Sequence, residues 1–246
     1  RISPRSAGRF EARELFKMLL AILVLLPVLA GAAAWFVRPT DRQLTLLVGA
    51  AAVHLGLTAS FWFQTPAPLG LFFALDALGL LFLSITSALF VAASLYAVAY
   101  VRGHDHHEAD SSVHRFVPCL LWFLAAMTLV TVTQHLALMW AAVEATTLAS
   151  APLIYFYRRP SALEAAWKYL LICSVGIAIA LGTFFLGIAA SAAPSVPPLV
   201  LEPLTRAAPL LATPWLKAAF VLAVVGYGTK MGLAPMHAWL PDAHSQ

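Results

Sequence analysis

Charge is what this chain has least of. Only 11% of its 246 residues are Asp, Glu, Lys or Arg, against about 25% in an ordinary soluble domain, while 61% are hydrophobic. With a mean hydropathy of +0.85, water is not the main solvent. Cysteine is nearly missing too. Cys119 and Cys173 both fall in apolar runs and lack the C-x-x-C spacing of a zinc site, so both read as small core residues. No cysteine cluster, nucleotide-binding glycine loop or haem motif is present, so no cofactor, metal or redox chemistry is expected in this chain. The net charge of +4 and pI near 9.3 do not signal nucleic acid. Most of the basic residues sit in the N-terminal tail and in short connectors, where they set membrane orientation.

Seven apolar stretches stand out: Met18 to Val37, Leu44 to Phe63, Leu69 to Val101, Phe116 to Thr133, Leu136 to Tyr157, Ala162 to Ala190, and Leu210 to Met231. Each is close to or above the roughly 20 residues that span a bilayer core at about 1.5 Å per residue. Lipid leaves helices or closed barrels, and continuous runs lack a barrel strand's alternation. The expected fold is an all-α, polytopic transmembrane bundle of about seven spans. Met18 to Val37 could pass for a secretory signal, with Ala30-Gly31-Ala32 as its small-residue site, but its length favours a retained helix. Thr40 with Asp41 is expected to cap the second helix, and the Pro-rich run Ala193 to Pro209 to separate the sixth from the seventh.

Connectors one, three and five carry Arg38 and Arg42, Arg102 and Arg115, and Arg158 and Arg159, whereas two and four carry no Lys or Arg. The odd connectors are therefore expected on the cytoplasmic side. The tail, with Arg1, Arg5, Arg9, Arg13 and Lys17, contradicts that orientation unless translation starts at Met18. Residues 1–17 form a basic tail that reads as an extension upstream of a start at Met18, and 102–115 a polar, His-rich loop; Gln246 looks like an arbitrary end.

Glu144 and Lys230 are the ionisable residues to read first inside the apolar runs. A charge at the bilayer centre costs roughly 2.5 to 3.5 kcal/mol on insertion scales, so such residues pair, face a wet cavity and carry function. Glu144 shares a helical face with Trp140, Thr147, Leu148 and Ala151, among small residues that let helices approach. It is either a relay group or packing glue held by Thr146 or Thr147. Lys230 stands among Gly226, Gly228, Gly232 and Pro235, an arrangement that breaks a helix and lines an ion path; an interfacial, snorkelling Lys is the plainer alternative. Lys168 either pairs with Glu164 at i,i+4 or reaches Glu144. His237 and His244, beside Pro235 and Pro241, can pass protons or simply be structural. The cluster His104, Asp105, His106, His107, Glu108 and His114 resembles a metal site, but H-E-x-x-H would need His where Ser111 stands. His54, Asp76 and His135 read as near-interface polar contacts.

Trp140 to Tyr155 (WAAVEATTLASAPLIY), Ala166 to Leu170 (AWKYL) and Gly226 to His244 (GYGTKMGLAPMHAWLPDAH) together resemble the proton-translocating antiporter-type membrane subunits of complex I, Mrp antiporters and membrane-bound hydrogenases. The wording around Glu144 is most similar to the hydrogenase-4 F-type subunit. The resemblance implies about fourteen helices with two inverted five-helix repeats, each with one interrupted helix. This chain would hold the first three helices over 18–101 and an incomplete first repeat, helices four to seven, over 116–246. It gives Glu144 the role of modulating Lys230 in the interrupted seventh helix, and places Lys168 where a sixth-helix basic partner is expected. Lys230 would alternate between charged and neutral as its pairing with Glu144 tightens or loosens. Further implications are a bacterial cytoplasmic (inner) membrane, companion membrane subunits, protons or sodium as cargo, and redox chemistry in partner subunits. The alternatives are an inorganic-carbon uptake complex, an Mrp-type sodium/proton antiporter, or a passive membrane anchor.

Overall fold

A computed structural model describes residues 4–64, 66–103, 106–191 and 199–245, with side chains described from Met18 onward except over 104–112. The regular structure is helical: α1 (Pro4–Phe36), α2 (Thr40–Ser60), α3 (Ala77–Arg102), α4 (His106–Val132), α5 (Leu136–Ile154), α6 (Pro160–Ala180), α7 (Phe185–Ala190), α8 (Leu201–Arg206), α9 (Thr213–Met231) and α10 (Leu240–His244). Among the described residues, six segments are long and apolar enough to cross a membrane: Met18–Phe36, Thr40–Ser60, Ala77–Arg102, Val113–Val132, Leu136–Ile154 and Pro160–Ala190. The apolar residues also face outward, with Phe36 83% and Phe63 92% exposed, as a lipid-facing surface requires. The chain is a polytopic helical bundle.

The chain divides into two compact units, Arg1–Thr133 and Gln134–Gln246. In the first, α1 packs closely on α4. A Cβ on Gly31 would meet the Trp122 ring at 2.6 Å, and Trp122 stacks on Trp35 with centroids 5.8 Å apart. One core cluster joins Leu44, Leu47, Phe90, Leu121 and Leu124; a second joins Leu20, Leu23, Phe61, Leu83 and Val132. Gln43, fully buried at the start of α2, places its amide nitrogen 2.8 Å from Ala34 O, 2.7 Å from Val37 O and 2.8 Å from His114 Nδ1.

Several boundaries differ from the sequence expectation. The third helix begins at Ala77, not Leu69. Asp76 accepts a hydrogen bond from Gly79 N at 2.7 Å and caps it, while Gly70, at φ +68°, helps fold residues 69–73 into a turn. That turn satisfies its backbone through Leu69 N to Phe73 O and Ala74 N to Val132 O. The second helix has Pro39 as its N-cap with no side-chain cap bond, so Thr40 is its first residue and not its cap. The stretch 102–115 is not a loop: the backbone is helical from His106. The side chains of His106, His107 and Glu108, with His104 and Asp105 entirely, lie outside the described residues, as do residues 1–3, the side chains of 4–17, and 192–198. The fourth helix lies within the first compact unit. His54 is not near an interface but 1% exposed in the core.

In the second unit α6 bends through a 3-10 turn, Leu181–Phe184, into α7. His135 caps α5, accepting from Ala137 N at 3.2 Å. Residues 199–201 lie along 134–136 through Leu136 N to Leu199 O and Leu201 N to Gln134 O. Within the Pro-rich run, α8 carries an ion pair between Arg206 and Glu202. The seventh expected span is α9, shorter at 19 residues and carrying Lys217 and Lys230, which keeps it out of the six most apolar segments. It is interrupted as expected. Gly232 adopts a left-handed φ of +74°, Leu233 N bonds to Gly228 O at 2.8 Å, and the chain turns helical again only at α10.

Candidate functional site

The site lies where α5, α6 and α9 meet, and glycine is what lets them meet. A Cβ on Gly226 would stand 2.5 Å from Ala180 N, and one on Gly176 would stand 2.6 Å from Thr229 Cβ. Backbones that close leave room for a long side chain near the end of α9 to reach across to its neighbours. On α5, Thr147 and Ala151 share the buried face with Glu144, whereas Leu148, expected there, is 57% exposed.

Lys230, in the last turn of α9, donates to Thr147 Oγ1 on α5 at 2.8 Å and to Tyr169 OH on α6 at 2.6 Å. Its nitrogen also lies 4.8 Å from the Tyr169 ring centroid. Tyr169 OH is 2.7 Å from Ser150 Oγ, which donates back to Thr146 O at 2.7 Å. A directional run of donors results: ammonium to phenol, phenol to serine, serine to backbone. Lys230 is thus no snorkelling terminus, since its head is turned inward onto side-chain oxygens.

Glu144 does not touch Lys230. Its Oε1 accepts from Ser174 Oγ on α6 at 2.7 Å, not from Thr146, whose hydroxyl donates to Val143 O, nor from Thr147, whose oxygen accepts from Lys230. Its Oε2 is buried and lacks a hydrogen-bond partner among the described residues. The two charges are therefore joined indirectly. Thr147, which holds Lys230, stands one turn after Glu144 on α5, and Ser174, which holds Glu144, stands on the same helix as Tyr169.

Lys168 goes elsewhere. Its nitrogen is 2.7 Å from Glu164 Oε1 and 2.9 Å from Asp242 Oδ2, and it makes no bond to Glu144. Asp242 belongs to α10, so this exposed pair fastens the segment after the break to α6. Trp239 adds a buried fastening: its indole N–H donates to Thr229 O at 2.9 Å and its ring lies 5.1 Å from Tyr169. His237 and His244 are exposed on that segment and not bonded to Lys230. Sequence reasoning missed Tyr169, Ser150, Ser174 and Trp239. The available signal was a Tyr and a Ser on the sixth helix beside Lys168.

Residues 133–246, nearly coincident with the second unit, match the family model described as NADH:quinone oxidoreductase/Mrp antiporter, TM. The chain is 33% identical over 189 residues to a hydrogenase-4 component F homolog of Methylacidiphilum infernorum, covering 73% of this chain and 39% of that protein. It is 29% identical over 170 residues to a Na(+)/H(+) antiporter subunit A1 of Staphylococcus aureus, 69% of this chain and 20% of that one. Among solved structures, a chain of respiratory complex I from Thermus thermophilus superposes with a TM-score of 0.69 at 27% identity, covering 92% of this chain and 46% of its own length. The chain thus spans less than half the length of these relatives.

Proposed function

We propose, from the match of residues 133–246 to the NADH:quinone oxidoreductase/Mrp antiporter transmembrane family model, that the chain carries protons across a bacterial cytoplasmic membrane as one subunit of a respiratory or hydrogenase-type complex. Lys230 is the proton carrier and Glu144 the charge that biases it. One observation supports this most: the Lys230 ammonium is held by Thr147 and Tyr169, while Glu144, on the same helix as Thr147, keeps one buried oxygen unpartnered. A small shift of α5 that loosens Thr147 from Lys230 brings that oxygen toward the ammonium, and the reverse shift withdraws it. The proton then passes along the hydroxyls of Tyr169 and Ser150, whose single hydrogens can turn either way. His237 and His244 take the proton on or off at the far side of the break, and Lys168 serves as an anchor for Asp242 and not as a partner of Glu144. Redox chemistry, where present, belongs to companion subunits.

The test is proton uptake by proteoliposomes holding the complex isolated with its native companions, with Lys230→Ala beside the native chain. Loss of uptake with the complex still assembled is expected. Unchanged uptake would overturn the relay. Uptake that follows a sodium gradient and ignores proton supply would assign the chain to the sodium/proton antiporter branch instead.

A further inference from the structure

The imidazole of His54 is 1% exposed within the first unit, and both of its nitrogens are engaged. Nε2 lies 2.9 Å from Thr128 Oγ1 on α4, and Nδ1 lies 2.9 Å from Ser87 Oγ on α3. Both hydroxyls also rest on carbonyls of their own helices, Ser87 Oγ at 2.7 Å from Leu83 O and Thr128 Oγ1 at 2.8 Å from Leu124 O. Thr58 Oγ1 completes the cluster, 3.1 Å from Ser87 Oγ and 2.9 Å from His54 O.

Counting hydrogens shows what the cluster can do. Each hydroxyl has one. If both point at the carbonyls, the ring must donate from both nitrogens, and it is an imidazolium. If the ring is neutral, one hydroxyl turns its hydrogen onto the bare nitrogen, and its carbonyl keeps the helical bond alone. Four donors find acceptors in the charged state and three in the neutral one, with no polar atom stranded in either. Gain or loss of one proton, accompanied by the turn of one hydroxyl, interconverts them.

We propose that His54, with Ser87 and Thr128, is a proton-binding site of the first unit, additional to Lys230 and outside the segment that matches the family model. An arriving proton makes the second N–H bond while the displaced hydroxyl hydrogen swings to Leu83 O or Leu124 O; departure reverses both movements. Ser84, one turn before Ser87, and Thr131, one turn past Thr128, carry hydroxyls toward the end formed by the C-termini of α2 and α4 and the N-terminus of α3. That end lies roughly 9 Å from His54 along α2, so exchange is with the face opposite Arg42, Arg102 and Arg115.

Charged and titratable groups on the surrounding helices stand well away. The described side chains of α1 include none. α2 carries Asp41 and Arg42, α3 carries Tyr96, Tyr100 and Arg102 with Asp76 as its cap, and α4 carries His114, Arg115 and Cys119 among its described side chains. By helical rise each is roughly 13 Å or more from the ring or the hydroxyl on its own helix. The charged ring thus has no carboxylate beside it and is a passing state, not a stored ion pair.

The test is nuclear magnetic resonance of the full chain in lipid nanodiscs with ring-15N histidine, the His54 signals being identified by their absence from His54→Asn. On lowering pH they are expected to exchange between neutral and imidazolium forms. Ser87→Ala is expected to slow that exchange about tenfold, the equivalent of one lost hydrogen bond, while Thr45→Val, exposed near the other end of α2, leaves it unchanged. One fixed neutral tautomer at every pH at which the native chain stays folded would overturn the proposal, as would equal exchange in Ser87→Ala. If Ser87→Ala does not fold, the native titration decides alone.

Discussion

Lys230 and Tyr169 meet twice: the ammonium nitrogen is 2.6 Å from the phenol oxygen and 4.8 Å from the ring centroid. Tyr169→Phe separates the two contacts, because it keeps the ring and deletes the oxygen. A hydrogen bond from a charged donor contributes about 1.5–3 kcal/mol. Proton transport in proteoliposomes is expected to fall about tenfold or more, with little change in thermal stability, since the ring still packs on Trp239. Tyr169→Ala is expected to lower stability as well, because it empties part of the cluster with Ala151, Cys173 and Trp239.

The indirect link between Glu144 and Lys230 gives a sharper expectation. In a double-mutant cycle of Glu144→Gln and Lys230→Met, transport rates are expected to show coupling of about 0.5–3 kcal/mol. In a Thr147→Val background that coupling falls toward zero, because the hydroxyl that ties the lysine to the glutamate's own helix is gone. Coupling that survives Thr147→Val intact would mean the two charges meet directly.

Helix contact predicts a contrast between two glycines. A methyl at Gly226 collides with Ala180, so Gly226→Ala is expected to destabilise by about 1–3 kcal/mol in a thermal or denaturant melt in mild detergent. Gly56, in α2, has nothing within 4 Å of an added Cβ, and Gly56→Ala is expected to be neutral or to stabilise by about 0.5–1 kcal/mol.

Lys168 is exposed, and its bonds to Glu164 and Asp242 are open to screening. Lys168→Gln is expected to leave thermal stability nearly unchanged and proton transport above half the native rate, in contrast to Lys230→Ala. Transport abolished by Lys168→Gln would return this lysine to the relay.

The spans and the two central charges were legible because lipid imposes simple rules: about 20 apolar residues cross, and an ionisable group among them stands out. The interruption after Met231 was legible for the same reason, as glycine and proline punctuate an apolar run. What a sequence does not encode openly is which helix faces which. Glu144 was expected on Thr146 or Thr147 and is held by Ser174, thirty positions away in sequence, because the helical period fixes a face and not the neighbour across it. The start of α3 was misread since Leu69 to Leu75 is as apolar as the helix that follows; Gly70 and Asp76 were the marks of turn and cap. His54 looked like a stray polar residue because Ser87 and Thr128 lie on two other helices.

Gln43 has a consequence for how the protein is made. The last carbonyls of a helix have no partner within it, and in hydrocarbon each costs several kcal/mol. A single amide from the second span reaches the carbonyls of Ala34 and Val37, so two carbonyls at the end of the first span are satisfied from within the pair, although Arg38 and Pro39 in the bend stay exposed. The first two spans can therefore leave the insertion machinery as one closed hairpin. Gln43→Leu is expected to show its defect in biogenesis, as delayed integration of the leading pair, before it shows one in transport.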